Sequence, residues 1–529
     1  MTAQIVKPAP LRIGIIIDSV VQPRWVRKCL ENIFELNVAK LELVVRVRAE
    51  SKGRDSLLYK LYNRMERSIF GAPSAMEEVR IDDLLGSVST CDDDDTINAC
   101  NLDVLINLGP LELNSRFASL AKHGIWFYRF GSEVDPHRYP PGFREVMTQD
   151  PITLSSLQCI KGETQQTVYQ SVSPTLSRFS VGANNNSCYW KAAAFAARSL
   201  VNLSEGHNSW PVNETRRSES SLRSPTNAAM TGMFLSLSER AAVRAVEKLS
   251  SFEQWVLAYR FNEGEFKYLI PDSDRFWADP FPIKVDDKYF VFFEDYLNAA
   301  GRAHISVVEI AQSGMVSSPT QVLKLDCHLS YPFVFEWLGN YYMIPETGDK
   351  NAVQLYRASS FPFEWQLESV LLEANCPLDA TLIEVSGTWW MFVNIQEKGV
   401  AVNWDELHLY FANSPLGPWK PHARNPVVSD VRSARPAGRL FWSNNVLYRP
   451  SQDSSIRYGY ATTINRVKSL SHSEYDETPV AKILPHWDRN IIGTHTFNAV
   501  DEIAVIDCLT KRSRFREGTF RAPEVSLDL

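Results

Sequence analysis

A hairpin-sized unit with polar ends recurs through the second half of the chain, and this repeat limits what that half can fold into. Four segments share it: ADPFPIKVDDKYFVFFED, SYPFVFEWLGNYYMIPET, LDATLIEVSGTWWMFVN and ARPAGRLFWSNNVLYRPSQD. Each reads as a polar residue, a short strand, a turn of hairpin chemistry (Asp-Asp, Leu-Gly-Asn, Ser-Gly or Ser-Asn-Asn), an aromatic-rich strand and a second polar residue. Asp279 and Glu294 are 15 residues apart, as are Tyr331 and Glu346, and Asp379 and Asn394; Arg435 and Arg449 are 14 apart. A hairpin returns the end of its second strand beside the start of its first, so each pair is expected at one end of its hairpin.

The interval between units is 52, 48 and 56 residues, counted from Asp279 to Tyr331, Asp379 and Arg435 in turn. Four-stranded propeller blades need roughly 40–50 residues, which leaves modest loops. Outer strands follow the first three hairpins: AHISVVEI and QVLKLD, VQLYRAS and QLESVLLE, LHLYFAN and WKPH. A fifth hairpin, THTFNAVDEIAVID, has no strands after it, and EQWVLAYRF at 253–261 is placed to supply one. A shared blade closes the ring and removes its sheet edges. The expectation is a five-bladed β-propeller over 253–529.

The first half differs. LRIGIIID at 11–18, LELVVRVRA after a helical stretch from Trp25 to Leu36, LDVLINLG at 102–109, GIWFYRFG at 124–131 and PITLSSLQCI at 151–160 read as strands, with a further helix, LNSRFASLAK, between the third and fourth. Strands alternating with helices predict an open, Rossmann-like α/β sheet over 1–202. Residues 203–252 read as a linker, Ser-, Asn- and Arg-rich from Ser204 to Asn227, followed by a helix containing LSERAAVRAVEKLSS.

Composition narrows the function classes. With 44% hydrophobic and 22% charged residues, a net charge of −7 and no sustained basic stripe, the chain has no phosphate-backbone footprint, so no nucleic acid is expected. The eight cysteines are scattered without CxxC spacing, which argues against a disulfide scaffold or a zinc site; no metal is expected. No signal pattern or membrane-length apolar run is seen, and a cytoplasmic location is expected.

RFWADPF, HLSYPFVF, YRASSFPFEW, LDATLIE, SPLGPWKPH and LYRPSQD together resemble the N-terminal propeller-type domain of plant glucosamine inositolphosphorylceramide transferases. More distantly, the ADP motif and the blade count resemble furanosidase-type glycoside hydrolases, which set three carboxylates on the inner strands of three successive blades. That resemblance implies Asp279 as the base and Asp379 as the proton donor, with Tyr331 in place of the second-blade acid. Glu294 and Glu346 would compensate from the second strands, and Arg435, Arg449 and Asp453 would complete a charged ring. Asp279, Glu294, Tyr331, Glu346, Asp379 and Arg449 are expected to converge on one funnel mouth.

GIWFYRFG, with PPGFREVMTQDPITLSSLQCIKGETQQTVYQ after it, resembles the core of the formyltransferase superfamily, which uses formyl-tetrahydrofolate. Its Asn-x-His motif and downstream Asp would fall on Phe127, Arg129 and Glu163. A guanidinium cannot replace an imidazole in proton transfer near neutral pH, so this reads as a degenerate site. His123 and His137 lie nearby. The leading expectation is a carbohydrate-active protein whose funnel binds or processes a glycan or sugar conjugate, in polysaccharide or glycolipid biosynthesis. The alternatives are a sugar N-formyltransferase with altered catalytic residues, which would require formyl-tetrahydrofolate, and a non-catalytic glycan-binding or assembly protein.

Overall fold

A computed structural model describes residues 9–47, 55–109, 117, 119–131, 139–207, 210, 224–397, 404–514 and 521. The chain divides into two units, one running through Arg240 and the other from Ala241. Residues 208–209 and 211–223 of the stretch read as a linker, half of LNSRFASLAK and His137 lie outside the described residues. No described helix is long and apolar enough to cross a membrane.

The first unit is built on a seven-stranded sheet in the order Ser89–Cys91, Ala39–Arg46, Leu11–Ile17, Val104–Asn107, Ile125–Phe130, Ile152–Lys161, Thr164–Pro174. The first five strands are parallel, and the last two add on antiparallel. LRIGIII is buried on both faces of the sheet, as an unalternating apolar run should be. One face packs against Trp25, Val26, Cys29, Leu30 and Ile33 of helix Arg24–Glu35 and against Phe195 and Leu200 of helix Phe195–Ser204. The other face buries Ile16, Leu43, Leu105 and Ile125 against Ile97, Leu102 and Leu120. A helix unread in the sequence, Leu57–Phe70, starts at Ser56, whose side chain accepts from the Tyr59 N–H, and stops at Gly71 with φ 83°.

The second unit is a five-bladed propeller. Four blades are four-stranded meanders that start at Arg275, Ser330, Pro377 and Phe441. The fifth blade is composite. Ser251–Phe261 pairs with Ile503–Ser513 in unbroken antiparallel register, from Ser251 opposite Ser513 to Phe261 opposite Ile503. The two ends of the unit thus share one sheet, and the ring is closed by backbone hydrogen bonds. The fourth blade's outer strands, Ala461–Leu470 and Tyr475–Ile483, had no counterpart in the sequence reading. Aromatic side chains fill the space between blades, with Phe281, Phe292, Tyr331, Phe333, Met343 and Met391 in one buried cluster.

Candidate functional site in the propeller funnel

Three inner strands carry the same irregularity. The pairing of the first hairpin slips between Ala278 and Phe281, of the second between Ser330 and Phe333, and of the third between Leu378 and Thr381. Inside each slip lies one residue with positive φ: Asp279 (52°), Tyr331 (44°) and Asp379 (55°). A left-handed backbone costs a side-chain-bearing residue about 1–2 kcal/mol, and a bulky Tyr rarely adopts it. Three blades accept this cost at one structural position, and the three side chains are brought together.

Their contacts define the cluster. Asp279 accepts from the Thr496 hydroxyl at 2.6 Å and from the Tyr331 N–H at 3.3 Å, and its own N–H donates to Asp507 at 3.2 Å. His495 Nδ1 lies 2.5 Å from Asp507 Oδ2 and 3.8 Å from Asp279 Oδ1. The N–H groups of His495 and Thr496 fix Asp507 Oδ1 at 2.8 and 3.0 Å. Tyr331 Oη shares a hydrogen bond with Thr381 at 2.9 Å and accepts from the Gly438 N–H at 2.7 Å. Arg435 forks onto Asp379 at 2.5 and 3.2 Å and donates to Glu346 at 3.0 Å, and Gln452 donates to Asp379 at 3.2 Å. Glu294 Oε1 lies 3.3 Å from Nε2 of the partly exposed His328. An aromatic wall adjoins this group: Tyr458 lies 5.2 Å from the Arg435 guanidinium, 5.5 Å from His495 and 5.5 Å from Trp404, and Trp255 stacks on His495 at 4.1 Å.

The electrostatics are those of too many acids for the available cations. Burial raises Asp279 to about 6; His495 pulls it down and Asp379 pushes it up. Burial, then repulsion from Asp279, holds Glu294 well above the usual carboxylate range. Glu346 is raised well above it too, by burial and then by Asp379, because one Arg435 serves both carboxyls. Burial opposes charge on His495, but Asp507 and Asp279 outweigh it and its pKa rises. Asp279, His495 and Asp507 offer three buried ligand atoms within 4.8 Å of one another, the one grouping of metal-ligand type among the described residues.

Of the residues singled out in the sequence, Asp279, Tyr331, Glu346, Asp379 and Arg435 are linked directly or through one another, and Glu294 interacts electrostatically with Asp279 and Glu346. Arg449 does not join them. It is fully buried against Glu477 and the Ser433 and Ala434 carbonyls, inside the fourth blade. The fourth hairpin is longer than its neighbours, so Arg435 faces Gln452 instead: the Gln452 N–H donates to the Arg435 carbonyl at 2.8 Å. Arg449 is three positions away, an odd offset that turns it to the other face of the strand. Asp453 is likewise taken up by Lys482 and Ser455. The fifth-blade residues His495, Thr496 and Asp507 were missed because that hairpin spaces its polar residues differently from the other four.

In the first unit, Phe127 and Arg129 lie on Ile125–Phe130, opposite Gln158 and Ser156. Glu163 lies in the exposed turn after Lys161. From Ser156 to Lys161 the strand advances five residues, about 17 Å, toward its far end, which separates Arg129 from Glu163. The three residues therefore do not assemble into one site. His123 sits before Ile125–Phe130, at Glu163's end, with its pKa lowered by burial and by Lys122.

Residues 269–500 match the family model for glucosamine inositolphosphorylceramide transferase 1, N-terminal. The rice (Oryza sativa subsp. japonica) protein named glucosamine inositolphosphorylceramide transferase 1 is 39% identical over 210 residues, 39% of this chain and 28% of that protein. Its Arabidopsis thaliana counterpart is 35% identical over 209 residues, 39% of this chain and 27% of that protein. The match thus spans under a third of the length of these curated relatives. Among solved structures, a family 117 glycoside hydrolase of the marine bacterium Zobellia galactanivorans is 17% identical, covering 49% of this chain and 90% of its own, with a TM-score of 0.34. A family 43 β-xylosidase/α-arabinofuranosidase from a compost metagenome is 13% identical, covering 48% and 97%, with a TM-score of 0.35.

Proposed function

We propose that the propeller funnel binds a glycan or sugar conjugate and acts on a glycosidic bond within it. The observation that carries this reading is the set of three strained residues, Asp279, Tyr331 and Asp379, focused on buried acids of differing proton affinity. Backbone strain repeated at one position is retained where it serves a site. The transferase names of the curated relatives support a sugar conjugate as ligand. Tyr458, 37% exposed beside Arg435, offers a ring face on which a pyranose stacks.

The roles follow from proton affinity. Glu346, its proton affinity raised by burial and by Asp379, donates a proton to the leaving glycosidic oxygen as the C–O bond breaks. Asp279, ionised above about pH 6, takes the proton of the incoming hydroxyl as the new C–O bond forms. Asp379, whose oxygens accept from Arg435 and Gln452, positions the guanidinium; this moves the donor role expected for Asp379 to Glu346.

A glycan and glycolipid array probed with the purified chain, and with Asp279→Asn and Glu346→Gln, tests the reading. The wild type should bind a restricted set of glycoconjugates. On those ligands Glu346→Gln should bind and lose turnover, and Asp279→Asn should lose turnover and weaken binding. A wild type that binds no sugar, or variants with unchanged binding and turnover, would refute it.

A further inference from the structure

Helix Leu57–Phe70 leaves much of its apolar surface outside the core. Its inward positions combine Leu58 and Tyr59, packed beside Phe143 and Val146, with two hydrogen-bonded polar side chains. Tyr62 and Glu66 are 1% and 8% exposed. Glu66 accepts from the Ser180 hydroxyl and the Gly182 N–H, both at 2.8 Å, and Tyr62 Oη accepts from the Val181 N–H at 3.1 Å. Its outward positions are apolar. Leu57, Leu61, Met65 and Ile69 are 75%, 55%, 42% and 64% exposed, with Phe70 at 52%. A spacing of four residues drifts about 40° per step, so the four make one continuous stripe along the outer face.

The flank of this stripe is basic. Lys60, Arg64 and Arg67 are exposed along one edge, and no described carboxylate pairs with them. Glu66, the one acid of the helix, is buried on the inner side. An apolar stripe of this size beside unpaired cations matches the interfacial zone of a bilayer, where alkyl side chains enter the acyl boundary and Lys and Arg meet lipid phosphates. A second copy of this chain fits less well. An antiparallel two-fold contact of the helix through the same face would set the basic edges side by side, and the helix has no exposed carboxylate to place between them.

We infer that helix Leu57–Phe70 is an interfacial anchor that seats the first unit on an anionic membrane surface, apolar stripe inward and Lys60, Arg64 and Arg67 at headgroup level. Tyr62 and Glu66, through their hydrogen bonds, and Leu58 and Tyr59, through packing, hold the helix to its own domain, which leaves Leu57, Leu61, Met65 and Ile69 available for lipid.

The full chain should sediment with vesicles of phosphatidylcholine and phosphatidylglycerol in equal parts and not with phosphatidylcholine alone. Binding should weaken as salt is raised. Leu61→Ser with Ile69→Ser, and separately Lys60→Ser with Arg64→Ser and Arg67→Ser, should each lower the bound fraction about tenfold. All these positions are exposed, so circular dichroism should stay at the wild-type signal. Absence of wild-type binding, or binding unchanged in both variants, overturns the inference. So does a dimer in analytical ultracentrifugation that Leu61→Ser with Ile69→Ser dissociates.

Discussion

Replacing Asp279 with Asn should make the protein more stable near neutral pH while disabling the funnel. In the folded chain this carboxyl is raised from 3.8 to about 6, chiefly by burial. The unfolded chain ionises first, so the wild type loses stability as pH rises from about 4 to 6, and the full penalty is present above that. A shift of about two pKa units corresponds to about 3 kcal/mol. Asn carries no charge and escapes this penalty, but its amide nitrogen cannot accept from the Tyr331 N–H or the Thr496 hydroxyl that now meet Asp279. One lost hydrogen bond costs about 1–1.5 kcal/mol. The expected balance is a gain of about 1–2 kcal/mol at about pH 8, turning into a loss of about 1 kcal/mol at about pH 4, where the wild-type carboxyl is already neutral. Urea unfolding followed by tryptophan fluorescence at both pH values reads this difference. A loss of about 2 kcal/mol or more at about pH 8 would show that Asp279 is a structural cap and that the argument from strain and burial is wrong.

Two further substitutions separate the funnel from the blade interior. Arg435→Met leaves Asp379 and Glu346 without their shared cation and should cost about 3–5 kcal/mol at about pH 8 in urea unfolding; a cost under about 1 kcal/mol would contradict the pairing. Arg449→Met strands Glu477 inside the fourth blade and should destabilise by a similar amount, about 3–5 kcal/mol, yet at a temperature where it stays folded it should bind glycan like the wild type; selective loss of binding would return Arg449 to the funnel.

The propeller was readable because its repeat is local. Turn chemistry, alternation and the 15-residue spacing are properties of one hairpin, so Asp279 with Glu294 and Tyr331 with Glu346 were placed without any tertiary information. The open α/β character of the first half was legible for the same reason, from apolar runs such as LRIGIII that alternate with helical stretches. Tertiary structure decided what depends on neighbours far along the chain. Asp507 joins Asp279 from 228 residues away, through a fifth blade whose polar spacing follows no repeat. Arg449 left the cluster because the fourth hairpin is longer, and a strand of period two reverses faces with an odd offset. The raised proton affinity of Glu346 could not be read either: it comes from burial and from Asp379 on the next blade, against a guanidinium brought from a third. Local pattern specifies the hairpins and the side chains at their ends; the closed ring sets which of them meet, because desolvation and shared charge exist only once the blades are packed.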